Sequence, residues 1–395
     1  MRENQGVRVL FTSTRWTGHF RPLVPFIDAC RRRGEEVLVA GPEELAGTAA
    51  EQGYPFVAFS SPAAADLEAA WAPAVTLSPE EQNIVAARDV FAGVLARASL
   101  PDLRAVIEEW RPDVVVREPG EFGAAVAAAI YDVPVAAVSG TQAFIHELFR
   151  PVVAERIDDL RRSVRLEPDP EGELLRSSPY LTLFPAVVED PMRPAPPVVR
   201  RFRDAEVREA APLPDWWPQA RGPMVYVTFG TVAGGSERLA EVYPVATTAL
   251  VEEPVRVLLT VGRGFDTAAL EPLPPNVHVE SWVPQSDVLP HASLVVCHGG
   301  SGTMLGALAA GLPLVVVPLF ADQYYNARRI EALNAGISVG SRDAAAIAEA
   351  VRRVLKDETY RREAEFLAAE IRALPPTDAA IDFLLEFAAA SRAAP

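Results

Sequence analysis

One stretch of the chain combines residue types and spacing that could do chemistry: Leu294 to Asn326, LVVCHGGSGTMLGALAAGLPLVVVPLFADQYYN. The apolar runs Leu294–Cys297 and Leu314–Pro318 read as parallel strands covered on both faces. Between them, the turn His298–Gly302 carries three glycines and opens a helix over Thr303–Ala310. Bare backbone N–H groups and a positive helix end then converge on one spot, which makes a phosphate cradle. His298 stands at the mouth of this cradle, and the polar pair Asp322-Gln323 follows the second strand. A second chemically competent residue is His19, in the loop TSTRWTGHFRP after the apolar run Val7–Phe11. An imidazole there is suited to take a proton from a hydroxyl near neutral pH.

The elements that must position these groups follow a repeated grammar. Val7–Phe11, the helical pattern LVPFIDACRRRG and Val37–Ala40 open a doubly wound parallel sheet. Strands at Val57–Phe59, Val114–Val116, Val135–Val138 and Leu181–Phe184 continue it, with helices expected at Phe122–Tyr131 and Glu155–Arg165. Residues 190 to 223 are rich in proline, which suits neither sheet interior nor helix, so a linker is expected there. Trp216 and Trp217 suggest that part of it packs. Strands at Met224–Phe229, Val255–Val261 and Val277–Glu280 then restart the pattern and lead into the cradle. The expected domains are 1–200, a linker at 201–222, a second domain at 223–380, and a terminal helix at 381–395 that packs back on the first. Neither half carries a G-x-G-x-x-G fingerprint, so the diphosphate site of the second domain is not the usual dinucleotide loop.

Bulk properties narrow the function classes. The 395 residues are roughly twice a typical domain. A net charge of −16 argues against nucleic acid or an anionic membrane as partner. The N-terminus lacks a signal-peptide shape and no apolar run suits a membrane span, so a cytoplasmic, soluble protein is expected. Two cysteines, Cys30 and Cys297, give no disulfide framework, and neither zinc-like spacing nor a D-x-D motif points to a metal.

Taken together, Trp282 through Gln285 (WVPQ), His298 through Thr303 (HGGSGT) and Asp322-Gln323 resemble the nucleotide-sugar signature of family 1 glycosyltransferases with the GT-B fold. Gly18-His19-Phe20-Arg21-Pro22 resembles the acceptor-side G-H-x-x-P of the bacterial, antibiotic-decorating branch, the calicheamicin type. The match spans essentially the whole chain with its motifs in order. It implies two Rossmann-like α/β domains facing each other across a cleft, and an inverting, metal-independent transfer. The sugar would come from a nucleotide diphosphate donor, dTDP or UDP, and pass to a hydroxyl of a hydrophobic secondary metabolite. The nucleotide sugar is then a co-substrate and no cofactor is expected. A nucleotide-sugar epimerase of the same architecture and a non-catalytic transferase partner are the alternatives, and monomer or homodimer is left open.

The resemblance also assigns residues. His19 becomes the general base, oriented by Glu118 after the run DVVVR, where the family usually has Asp; Glu121 is the runner-up, and Asp113 falls at the strand entrance. On the donor side, His298 with Gly300, Ser301, Gly302 and Thr303 holds the diphosphate, and Gly230-Thr231 forms a second phosphate-contacting turn. Trp282 stacks on the base, Val283 reads its edge, Gln285 lies in the same wall, and Asp322 and Gln323 bind the sugar hydroxyls. Gly306 stands where plant relatives place a ribose-binding glutamate, which favours a deoxyribose nucleotide. Trp16, Phe91, Phe122, Phe144, His146 and Phe149 are the expected acceptor lining.

Overall fold

The structure, a computed structural model, describes residues 6–204, 210–217 and 221–393. It divides into two compact units, Met1–Glu206 with Leu374–Pro395, and Val207–Ala373. Residues 205–209 and 218–220 of the expected linker, and 394–395 of the expected terminal helix, lie outside the described residues.

In the first unit, seven parallel strands are β1 (Arg8–Thr12), β2 (Glu36–Pro42), β3 (Phe56–Phe59), β4 (Val114–Arg117), β5 (Val135–Ser139), β6 (Tyr180–Thr182) and β7 (Val199–Arg201). Their order is β3-β2-β1-β4-β5-β6-β7. Alternation along β1 sends Val9 and Phe11 to one buried layer and Leu10 to the other, as a sheet covered on both faces requires. The order reverses between β1 and β4, and ligands of open α/β sheets bind at the carboxyl ends of such a switch point. Thr12 pairs with Arg117 at the end of these two strands, so the loops after them are neighbours.

Strand β7 corrects the sequence reading, because it lies inside the proline-rich stretch assigned to the linker. Its three residues pair with β6 alone at the sheet edge, where flanking prolines remove no ladder hydrogen bond on the outer side. The helix expected at Glu155–Arg165 is the second half of a longer one, Ala143–Ser163, which continues past Pro151. A π-helical segment, Ala86–Leu95, runs into the helix Ala96–Trp110. The terminal helix begins at Asp378 and buries Ala380, Ile381, Leu384 and Ala388 with Phe26, Ala29 and Cys30 in one core layer of this unit.

The second unit holds β8 (Met224–Thr228), β9 (Arg256–Thr260), β10 (Val277–Glu280), β11 (Leu294–Cys297), β12 (Leu314–Val316) and β13 (Gly336–Ser338), all parallel, in the order β10-β9-β8-β11-β12-β13. Its switch point falls between β8 and β11, where Thr228 pairs with Cys297. Part of the proline-rich segment packs here: Trp216 stacks on His278 at 4.6 Å between ring centroids, and Trp217 is buried. Among the described residues no helix is long and apolar enough to cross a membrane.

Candidate active site

Two groups of side chains sit at the two switch points, one in each unit. In the first, His19 lies in the short helix Thr17–Phe20 that follows β1, and Glu118 follows β4. Because these strands are hydrogen-bonded neighbours, residues 99 positions apart meet: His19 Nδ1 lies 2.9 Å from Glu118 Oε2. The same carboxylate accepts from the Gly120 amide at 2.8 Å and from Thr14 Oγ1 at 2.8 Å. Burial acts to raise the Glu118 pKa, but the His19 imidazole and these hydrogen bonds outweigh it and hold the carboxyl below its ordinary value. An ionised Glu118 can only accept, so the contact sets Nδ1 as the donor and leaves Nε2 as the basic nitrogen. The imidazole itself is about one-third exposed, while Glu118 is fully enclosed.

Glu121 does different work. Its carboxyl accepts from Ser99 Oγ at 2.9 Å and from the Gly123 and Ala124 amides at 3.1 and 2.8 Å, capping the helix Gly123–Ile130. Burial raises its pKa. Asp113 accepts from the Arg8 amide at the entrance of β1. Glycine is required at position 120, where an added Cβ would stand 2.9 Å from the Phe91 ring and 3.1 Å from Glu118 Oε1.

Of the residues expected to line an acceptor pocket, two reach His19. Trp16 and Phe91 place their ring centroids 5.6 and 5.2 Å from the imidazole and 5.3 Å from each other, so the base stands in an aromatic corner. Phe122, Phe144 and the His146 side chain are instead nearly fully enclosed. Phe122 packs in the core layer beneath the sheet, Phe144 lies under the Arg193 guanidinium, and His146 meets Tyr180 edge-on. Burial lowers the His146 pKa. Phe149 is half-buried.

In the second unit the cradle helix runs Ser301–Ala309, starting earlier than the sequence suggested, because Gly300 takes an extended conformation and serves as the N-cap. No side chain caps it, so the amides of its first turn, Ser301, Gly302 and Thr303, remain available. His298 is pressed between two glycines: a Cβ at Gly300 would lie 2.3 Å from its Nε2, and one at Gly230 would lie 2.8 Å away. Gly230, at φ 76°, follows β8, so this meeting is the direct result of the β8–β11 pairing. Burial lowers the His298 pKa to about 4, with the Thr228 backbone offsetting only part of that. The ring is neutral at pH 7. Thr231, next to Gly230 in the chain, is exposed.

The loop after β12 is fastened to the cradle. Asp322 Oδ2 accepts from Ser301 Oγ at 3.1 Å and from Asn326 Nδ2 at 3.3 Å. Asn326, fully buried, also donates to the Gly299 carbonyl at 2.9 Å. Sequence reasoning missed Asn326, which looked like one more polar residue in a helical pattern; its spacing four after Asp322 was the available signal. Gln323 is buried and its Oε1 accepts from the Leu319 and Phe320 amides, so that oxygen shapes the loop that carries Asp322.

Along the adjoining wall, Trp282 is 45% exposed, with the Arg263 guanidinium 5.6 Å from its ring. Val283 is half-buried next to it. Gln285 donates to Thr303 Oγ1 at 3.0 Å, tying this wall to the cradle. A Cβ at Gly306 would meet Leu289 at 3.5 Å and Gln285 Oε1 at 3.8 Å, ordinary van der Waals contacts, so a small side chain would fit there without a clash. Cys297 is a buried free thiol, and burial pushes its pKa up to about 12. Among the described residues no cluster of three or more His, Cys, Asp or Glu side chains could hold a metal ion.

Comparison with known proteins agrees with this arrangement. Residues 28–169 and 249–386 match the N- and C-terminal domain models described as erythromycin biosynthesis protein CIII-like. The elloramycin glycosyltransferase ElmGT of Streptomyces olivaceus is 34% identical over 95% of this chain and 96% of its own. The glycosyltransferase SnogD of Streptomyces nogalater superposes with a TM-score of 0.76 at 27% identity, over 97% of this chain and all of that one. The spinosyn rhamnosyltransferase SpnG, solved with thymidine diphosphate, has a TM-score of 0.79 at 25% identity over 96% of this chain and all of that one. With two parallel α/β sheets of this order and these two site groups, the chain belongs to the erythromycin-CIII-like family and is a family 1 GT-B glycosyltransferase of the bacterial natural-product branch.

Proposed function

We propose that this enzyme transfers a deoxysugar from a dTDP donor, with inversion, to a hydroxyl of a hydrophobic, ring-bearing aglycone. The observation that carries the reading is the 2.9 Å contact between His19 Nδ1 and the enclosed Glu118 carboxylate, which sets Nε2 as the basic nitrogen that takes a proton. The acceptor hydroxyl gives its proton to Nε2 and attacks the anomeric carbon on the face opposite the diphosphate. The bond from that carbon to the diphosphate oxygen breaks, and its electron pair leaves with the diphosphate. Trp16 and Phe91 offer the apolar surface against which a ring system would rest.

The departing charge falls on the first-turn amides at Ser301, Gly302 and Thr303 and on the neutral His298, which donates an N–H. These fixed dipoles make a metal unnecessary on the diphosphate. Trp282 stacks on the base, with Val283 and Gln285 beside it, and Gly230-Thr231 contacts the phosphates. Asp322 binds the sugar hydroxyls while Gln323 keeps its loop in place. Glycine at position 306 supplies no carboxylate to a ribose diol, which supports dTDP over UDP, as does the thymidine diphosphate in the SpnG complex. Nucleotide sugars are made inside the cell, so we place the reaction in the cytoplasm.

The test is to incubate the protein with dTDP- and UDP-sugars, with and without polyketide and phenolic acceptors, and to follow nucleotide diphosphate release by mass. Release that requires acceptor, with dTDP preferred and an inverted product, is expected. A sugar isomer formed without acceptor would favour the epimerase alternative, and His19→Ala with undiminished turnover would remove the base assignment.

A further inference from the structure

Arg117 ends β4, one residue before Glu118, and its side chain is fully enclosed. Such burial is costly for a guanidinium, which stays charged in proteins and needs its five donors satisfied. Here the cation forms no ion pair with any carboxylate among the described residues. Its Nε and Nη2 make no hydrogen bond, and its Cζ stands 5.4 Å from the Phe122 ring. Only Nη1 is engaged, and all of its partners lie in one place: the carbonyls of Glu118 at 3.3 Å, Pro119 at 2.8 Å and Glu121 at 3.5 Å. A core position would be filled more stably by an apolar side chain of similar size.

We propose that Arg117 is a positioning residue for the acceptor base: it grips the 118–121 turn from inside the sheet and thereby holds the Glu118 carboxylate on His19. The inference rests on the assignment of His19 and Glu118 to proton transfer. Three devices then fix one turn. Glu121 ties its far end to the helix Gly123–Ile130, Glu118 folds back on the Gly120 amide, and Arg117 collects the carbonyls that point the other way. The charged and titratable groups around Arg117 are Glu118 and Glu121 on its own segment, Tyr180 on β6, and His146 on the helix Ala143–Ser163. The role is geometric: the groups that hold Glu118 ionised are His19, the Gly120 amide and Thr14. A shorter or neutral side chain at 117 releases the turn, and a carboxylate that drifts from the imidazole no longer favours its charged form.

The experiment compares Arg117→Met and Arg117→Lys in the full chain with the wild type. Near-ultraviolet circular dichroism and thermal unfolding check the fold, and calorimetry with dTDP checks the donor side. Arg117→Met is expected to lower kcat by about 10- to 100-fold, the range of a misplaced general base, and to leave dTDP affinity within about twofold, a change below 0.5 kcal/mol. It also moves the acidic limb of the kcat/KM profile to lower pH. Arg117→Lys, which can still reach a carbonyl, restores the position of the limb and part of the rate. The His19 ring titration, followed by NMR, needs no turnover, so it tests Arg117 even if wild type transfers nothing to a hydroxyl and the function proposed above fails. If Arg117→Met does not fold, Arg117→Gln, shorter and neutral, takes its place: a His19 ring titration moved to lower pH supports the grip, and an unchanged one refutes it. A folded Arg117→Met with an unchanged ring titration and limb, whatever its rate, overturns the proposal.

Discussion

Gly300 stands so close to His298 that a Cβ in its place would lie 2.3 Å from the ring Nε2. The two residues therefore set each other: the ring can occupy its slot only because position 300 has no side chain. Gly300→Ala must push the buried imidazole aside. Overpacking of this kind costs about 1–3 kcal/mol, so unfolding should move to lower temperature. If the cradle holds the diphosphate, dTDP affinity measured by calorimetry should fall about tenfold or more, because 1.4 kcal/mol of lost contact is already tenfold. Unchanged dTDP binding would remove this turn from the donor site.

Replacing Glu118 by Gln tests the pair at the other switch point. The amide keeps the volume but loses the charge that favours a protonated His19, so the acidic limb of the kcat/KM profile should shift to lower pH. The rate with acceptor should drop about 10- to 100-fold, less than the full 10²–10⁴ that a general base contributes, because the imidazole is still present. Linkage adds a stability signature. The folded-state pKa of Glu118 is lowered, so its contribution is present above the ordinary carboxylate pKa and is lost as pH falls through the folded value. Wild type should lose that increment on acidification, and Glu118→Gln should not.

His298 gives a second pH dependence in a different window. Its pKa falls from an ordinary 6.5 to about 4 in the fold, so the unfolded chain binds the extra proton first. The stability it contributes is present above pH 6.5 and is lost progressively as pH falls towards 4. The shift corresponds to about 3 kcal/mol. Thermal unfolding between these pH values should show a decline that His298→Gln flattens, and an identical slope in the variant would contradict the burial argument.

Asn326 fastens Gly299, Ser301 and Asp322 together through one amide nitrogen. Asn326→Ala strands a buried carbonyl and loosens the loop, at about 1–3 kcal/mol. Asn326→Asp should be worse, because it sets a second carboxylate against Asp322 and offers an acceptor where a donor is needed. Unfolding free energies ranked wild type, Ala, Asp in falling order are expected, and Asp at wild-type stability would show that the clasp is not formed.

The parts legible in sequence were those with a local physical signature. Leu294–Cys297 announced a doubly covered strand by four consecutive apolar residues, and the observed strand has those bounds. The glycines at 299, 300 and 302 announced a turn that leaves amides bare, though not that the helix begins at Ser301. The strand β7 was hidden by its prolines, which mark a linker as readily as a sheet edge. Trp16 and Phe91 could not be told from Phe122 and Phe144 by type, since an aromatic ring serves a core and a ligand equally well.

Sequence alone determined the grammar of strands and turns, the two histidines that could act, and the motif resemblance that placed the chain among sugar transferases. Tertiary structure alone decided which acid meets which base. Glu118 and Glu121 are three residues apart and chemically alike, yet the parallel pairing of β1 with β4 delivers Glu118 to His19 and turns Glu121 to a helix N-terminus. The same holds for Arg117 and Asn326, whose partners are backbone carbonyls and side chains that only the folded chain gathers. Local patterns record how a segment buries its own surface; partnership between segments depends on strand order and register, which are properties of the whole sheet.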